Sequence, residues 1–484
     1  MLQFNIIMKE DFINQVKQLT PNVDYCSFRF VNQFINTISV TRNIVEPVTV
    51  SEDDGVMVSI INNGGIGYGS SSDLTTNGLK LAIKEAIDWS EFTKHKIAFL
   101  PDYKTIRKVE GNYYTKEETN WTQVPTKDKI DYLTNINKIL KSKPSISNWG
   151  ASLRYKKIET LFIDTNGSCF RQRISFLLPQ IVVSATYKKE IQTRTYGGHA
   201  HARQIGYDFL DRINLNKKAA ELSEESIQLS KSPNCPDQKM SALIAPDQMI
   251  LQLHESIGHP LELDRILGDE RNYAGSSFVT LDMFGKYQYG SECLNVTFNP
   301  TLESQLATYN FDDDGTEASK QHLIKNGMLV RPIGGQISGQ RTGLDHVACS
   351  RASNWNRPPI DRMGNINIEP GEHSDADMIS SVENGILLET NNSWSIDDKR
   401  NKFQFSCEKG TLIRNGELKN IVKNPSYRGV TKNFWHNLEK VGNQDSQKIL
   451  GTSNCGKGEP NQTMFVGHST PMCLFDQIEV FGGL

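Results

Sequence analysis

The apolar positions of this chain change period several times, and each change predicts an element. Val56-Met57-Val58-Ser59-Ile60-Ile61 is apolar and rich in β-branched residues, Asn62-Asn63-Gly64-Gly65 breaks it, and Ile66-Gly67-Tyr68 resumes. This pattern predicts a hairpin. Leu79, Ile83 and Ile87 then fall four apart, with Ala82 and Ala86 beside them. One apolar face at that spacing predicts a helix over about Leu74 to Lys94. Ile130, Leu133, Ile136 and Leu140 predict a second over about Lys127 to Lys141. Residues 149–195 read as consecutive strands. Two of these, Thr160 to Asp164 and Cys169 to Phe176, flank Asn166-Gly167, a favoured two-residue turn. A third helix, about Leu215 to Lys231, ends at Ser232-Pro233-Asn234-Cys235-Pro236. Two prolines around a polar patch mark the best domain boundary in the chain.

Beyond that boundary one helix starts near Asp247, a residue suited to cap it. The rest is mostly strand and loop. Asn326-Gly327 and Asn415-Gly416 each end a similar apolar run, which predicts two hairpins using the same turn and no internal repeat. The expected fold class is therefore α+β. Residues 1–231 should form a domain of helices on a mainly antiparallel sheet. Residues 238–484 should form a β-rich domain that carries the Asp247 helix.

Composition fits this picture. The 484 residues are 37% hydrophobic and 23% charged, enough apolar material for more than one core. With 53 basic and 56 acidic residues the net charge is -3, which gives no electrostatic reason to expect nucleic acid as the ligand. No run of 18 apolar residues predicts a membrane span, and the first residues lack the pattern of a secretory signal. Eight scattered cysteines suit reduced thiols. The expected setting is the cytoplasm.

Chemistry concentrates in His254-Glu255-Ser256-Ile257-Gly258-His259-Pro260. Two histidines four apart share a helix face and can bind one zinc, with an adjacent glutamate as base. Here they are five apart. On a regular helix five steps leave the two rings about 140° apart, too far round to meet on one ion. A metal site therefore requires a π-bulge or a break across residues 256–260. Gly258 is permissive, and Pro260 has no amide for the carbonyl of Ser256. Taken alone, such a pair is more often a surface pair than a ligand site.

Other histidines compete poorly. His199 and His201 form a His-x-His pair in a glycine loop, a pattern usually just solvated. His346, His373, His436 and His468 are read as structural or surface residues. Asp312-Asp313-Asp314 lacks the alternating spacing of a calcium loop and reads as a polar turn. Among the cysteines, Cys455 lies in a Gly-flanked loop open to a metal, whereas Cys473 falls in a strand and is expected to be buried.

The segment from His254 to Glu262 resembles the metal motif of the TldD/PmbA peptidases, also described as modulators of DNA gyrase, and specifically their TldD-type, metal-bearing subunit. The likeness continues in order through Asp312-Asp313-Asp314-Gly315-Thr316, Leu323 to Gly327, Arg357-Pro358, Arg362-Met363, Asn454-Cys455-Gly456-Lys457-Gly458 and Gly482-Gly483. It implies a Zn2+ ion held by His254, His259 and Cys455, with the fourth position left for water. Glu255 would then be the general base. Glu262 matches a family position and is a candidate to orient a histidine. Pro260 departs from the pattern, which often has glycine there. The resemblance also implies short or unfolded peptides as substrates, and a homodimer or a heterodimer with a PmbA/TldE-type subunit. Two other readings stand beside hydrolysis: a zinc-stabilised module acting on a partner such as gyrase without turnover, and zinc chemistry on a non-peptide substrate.

Overall fold

The computed structural model describes residues 10–197 and 200–482. The architecture is mixed α+β, as expected. Strands Gly65–Ser71, Thr49–Asn62, Tyr25–Thr41, Ile146–Asp164, Cys169–Tyr187 and Glu110–Tyr114 lie side by side in that order. Neighbours are antiparallel except the last pair, which is parallel.

Alternation along these strands sends successive side chains to opposite faces. Phe28, Phe30, Ile38 and Val40 of one strand, with Leu153, Leu161 and Ile163 of the next, face one side. The helices Glu10–Leu19 and Thr76–Thr93 cover one end of that side, through Phe12, Val16, Leu79 and Ile83. Thr126–Leu140 and Leu215–Leu229 cover the other, through Leu133, Ile136, Leu215 and Leu222. The opposite side carries Arg29, Gln33 and Gln172 and meets the C-terminal half. Arg29 Nη2 donates to the Arg357 carbonyl at 2.7 Å, Gln33 Nε2 to that of Ser353 at 2.8 Å, and Gln172 Nε2 to that of Phe311 at 2.9 Å.

The C-terminal half is built on two sheets. Asn384–Ile396, Gln238–Ile244, Cys473–Gly482, Pro425–Val430 and Lys402–Arg414 follow one another, and the last pairs back with the first. This closes a five-stranded barrel and leaves no free edge along those pairings. A six-stranded sheet lies beside it and includes Val296–Phe298, Asn365–Ile368, Gln462–Thr470 and Lys448–Lys457. The Pro246–Leu253 helix leaves the barrel strand Gln238–Ile244 directly. Met249, Leu253 and Ile257 share one apolar core with barrel residues Ile386, Phe405 and Tyr427 and with sheet residues Phe298, Ile366 and Val466. The helix thus sits where barrel and sheet meet. Among the described residues, no helix is long and apolar enough to cross a membrane.

Three turns follow the sequence. Asn63-Gly64, Asn326-Gly327 and Asn415-Gly416 each have φ positive at both residues, the geometry of a tight two-residue hairpin. The fourth differs. Gly167 donates to the Asp164 carbonyl and Asp164 to that of Ser168, so the loop has three residues, with Gly167 alone at φ 91°. A bulged three-residue loop also places Gly in the left-handed region, so the same dipeptide serves both. Asp247 is not the helix cap. Ala245 holds that position and Pro246 is the first helical residue, where its missing amide does no harm. The Asp247 carboxylate instead accepts from the Thr390 amide at 3.2 Å and its hydroxyl at 2.6 Å, tying the helix to the barrel.

Candidate metal centre

The helix changes winding where the two histidines require it. Residues His254–Gly258 form a π-turn, in which the His259 amide donates to the His254 carbonyl five residues back. His259–Leu261 tightens to a 3-10 turn. One extra residue is thereby absorbed and both rings point to one side. Their centroids are 4.8 Å apart. The irregularity leaves backbone acceptors to be satisfied, and buried side chains supply donors. Tyr289 donates its hydroxyl to the Ser256 carbonyl, the group that an amide at position 260 would bond in a regular helix. Ser256 Oγ accepts from Trp435 Nε1 at 3.0 Å and Gln252 Nε2 at 2.9 Å.

Cys455 arrives from the Lys448–Lys457 strand, not from a loop. Its pairing with Gln462–Thr470 slips between Thr452 and Cys455, where three steps on one strand face two on the other. Such a bulge re-aims a side chain, here towards the histidines. Cys455 Sγ lies 3.3 Å from His254 Nε2 and 3.6 Å from His259 Nε2. All three ligand atoms lie within 4.8 Å of one another, and all three residues are buried, so they could hold a metal ion.

The hydrogen bonds behind the rings assign their tautomers. His468 Nδ1 donates to the Ile366 carbonyl at 3.2 Å, which leaves its Nε2 as an acceptor. That atom is 2.8 Å from His254 Nδ1, so His254 carries its proton there and keeps a free lone pair on Nε2. His259 Nδ1 donates to Glu262 Oε2 at 2.8 Å, with the same result. Burial holds the pKa of His254 below the usual histidine value and that of His468 well below it, so both rings are neutral.

Charge is arranged in two layers. Nearest the histidines, Arg400 Nη1 donates to Glu255 Oε2. Burial pushes the Glu255 pKa up, but the surrounding positive charge, from the permanent cations Arg400 and Arg265 and from either imidazole when it is protonated, outweighs burial and holds the carboxyl below its usual value. Deeper, Lys457 Nζ lies 2.6 Å from Asp264 Oδ1 and 3.5 Å from Glu262 Oε1. Burial also disfavours the ionised Glu262, and the charge of Lys457 with the hydrogen bond from His259 overcomes that, keeping it anionic.

The remaining sequence expectations fall elsewhere. His201 stacks on Tyr196, with ring centroids 4.2 Å apart, and is not in the His254 cluster. His199 lies outside the described residues. His346 and His436 are exposed, and His373 is partly exposed. His468 is a correction in part: it is structural, but fully buried and directly behind His254. Its signal was faint, since strand alternation sets it on one face with Met464 and Val466. Arg400 had no signal, for it sits in the turn between two barrel strands at φ 61°. Asp312–Asp314 is a polar turn closed by the Gly315 amide on the Asp312 carbonyl at 3.1 Å. Cys473 is buried in a strand as expected.

A cavity of about 230 Å³ opens at these groups, bounded by His254, Glu255, His259, Cys455, Arg400 and Trp394.

The chain is similar to known proteins along nearly its whole length. Residues 237–482 match the PmbA/TldA metallopeptidase C-terminal domain, 26–90 match domain 1 and 119–229 the central domain. A metalloprotease of Methanocaldococcus jannaschii is 25% identical over 92% of this chain and 95% of its own. A zinc metalloprotease TldD homolog of Saccharolobus solfataricus is 21% identical over 97% of this chain and 99% of its own. Among solved structures, TldE of Thermococcus kodakarensis superposes with a TM-score of 0.70 at 14% identity, covering 98% of this chain and 99% of that one.

Proposed function

The chain belongs to the PmbA/TldD metallopeptidase family, and we propose that it hydrolyses peptide bonds of short or unfolded peptides with a zinc ion held by His254, His259 and Cys455. The observation that carries this reading is the convergence of two imidazole nitrogens and one thiol beside a buried carboxylate. Zinc bonds of about 2.3 Å to sulfur and about 2.0 Å to nitrogen at tetrahedral angles put S and N about 3.5 Å apart. The separations of 3.3 and 3.6 Å agree with that geometry.

A zinc ion bound there would acidify water and polarise a peptide carbonyl. The protein's own groups do the rest. Glu255, held ionised by its cationic neighbours, takes a proton on its carboxylate and returns it to the leaving amine. Arg400 fixes one of its oxygens so that the other is left for that transfer. Glu262 and His468 are positioning residues, which hold His259 and His254 with Nε2 free. The chain divides into an N-terminal unit, 1–231, and a β-rich metallopeptidase unit, 238–484. It assembles as a dimer with itself or with a TldE-type chain, a reading supported by its likeness in fold to TldE.

The test is hydrolysis of a peptide library by the wild type and by Glu255→Gln, with zinc content measured on both. Full zinc and lost hydrolysis in the variant are expected. Unchanged turnover would remove Glu255 from the mechanism. A protein that binds zinc yet cleaves nothing would favour the binding module.

A further inference from the structure

The face of the N-terminal sheet turned away from its helices bears two cations without a counter-charge. Arg154 and Lys156 stand two residues apart on the Ile146–Asp164 strand, so they project the same way with Cα atoms about 7 Å apart. They line a cavity of about 230 Å³ whose far wall includes Arg351, Asn454 and Phe465. Asn454 lines the cavity at His254 and Cys455 as well. The two spaces therefore share a wall at the bulge that aims the thiol.

The other charges of this chamber are already committed. Arg29 Nη1 faces Asp313 Oδ1 at 3.9 Å. Asp312 accepts the amides of Thr316 at 2.8 Å and Ser350 at 3.0 Å. Arg351 donates to the carbonyls of Met363 at 2.7 Å and Phe465 at 2.9 Å. Among the described residues, the side chains of Arg154 and Lys156 have neither an ion pair nor a hydrogen bond. Burial, with the like charges of Arg154 and Arg351, pushes the Lys156 pKa down to about 8. Ile158, Ile174 and Phe176 add apolar wall, which strengthens any charge interaction inside.

We propose that this chamber is a substrate subsite in which Arg154 and Lys156 bind a carboxylate of the peptide whose scissile bond lies at the His254–Cys455 centre. Both a chain-terminal carboxylate and an acidic side chain have this chemistry. The inference rests on the peptidase reading, and its test separates the two.

Matched peptides with a free or amidated C-terminus, and with Glu or Gln within the sequence, are compared on the wild type, Lys156→Met, Lys156→Arg and Arg154→Gln. Hydrolysis is read as kcat/KM. Binding to the full-length Glu255→Gln protein is read by fluorescence anisotropy. The expected result is about a tenfold preference for the carboxylate member of a pair, the worth of one charged hydrogen bond. That ratio falls towards one in Lys156→Met and Arg154→Gln and is kept in Lys156→Arg. The pair that shows it names the source. Cleavage without preference in either pair overturns the subsite and leaves the peptidase reading standing. Carboxylate-dependent binding without cleavage does the reverse. A preference unaltered in Lys156→Met and Arg154→Gln also overturns the assignment.

Discussion

Met363 Sδ stands 2.1 Å from the point that a β-carbon on Gly258 would occupy. Gly258 has φ -55°, an ordinary helical value, so its backbone needs no special freedom. What the π-turn needs there is the absence of a side chain, because Met363 fills that space. Gly258→Ala should therefore destabilise the protein by about 1–3 kcal/mol through overpacking and lower its zinc occupancy. Met363→Ala in the same chain should restore part of both. Denaturant midpoints and metal content of the two single variants and the double variant measure the coupling.

His468 is not itself one of the three candidate ligands, yet it decides where His254 keeps its proton. His468→Leu removes the acceptor from behind that ring. Zinc affinity, measured by competition with a chelator, should fall about 10–100-fold. Glu255→Gln, which leaves the ring's support intact, should not show that loss. Equal affinity in His468→Leu and wild type would remove this residue from the site.

Arg400 bears on pH dependence. Its permanent charge helps to hold Glu255 below the usual carboxylate range. A base must be ionised to act, so activity falls on the acid side as Glu255 takes up a proton. Removing the cation raises that pKa. The acid limb of the kcat/KM profile should then move to higher pH in Arg400→Leu, with zinc content kept. A limb that does not move would show that Arg400 does not set the ionisation of the base in the free enzyme.

Lys457 is fully buried between Asp264 and Glu262. Lys457→Met would leave two buried carboxylates without their cation, and breaking such a group costs about 3–5 kcal/mol. Chemical denaturation of the metal-free protein should show a loss of that order. Asp264→Asn added to Lys457→Met should recover part of it, because one uncompensated charge is gone.

Local chemistry was legible in the chain itself. Apolar spacing placed the helices now seen at Thr76–Thr93 and Thr126–Leu140 to within a few residues. Asn-Gly pairs located the tight turns, because few residues tolerate positive φ. The five-residue step between His254 and His259 made an irregular helix a condition of any shared metal, and Pro260 marked where the regular bonding had to fail. These features depend only on neighbours along the chain.

Everything that needed distant segments to meet was decided by the tertiary structure. Spacing could not choose Cys455 from eight cysteines, since a strand bulge about 200 residues downstream of His254 delivers it; only the family resemblance pointed to it. Nothing local marks Arg400, which a barrel turn carries to Glu255, or His468, which a strand of the other sheet sets behind His254. Nor could Arg154 and Lys156 be told from surface cations until the second half of the chain closed over them. The physical reason is common to all. A residue's propensity is set by its own backbone, but its charge state, ligands and partners are set by whatever burial brings within a few ångströms.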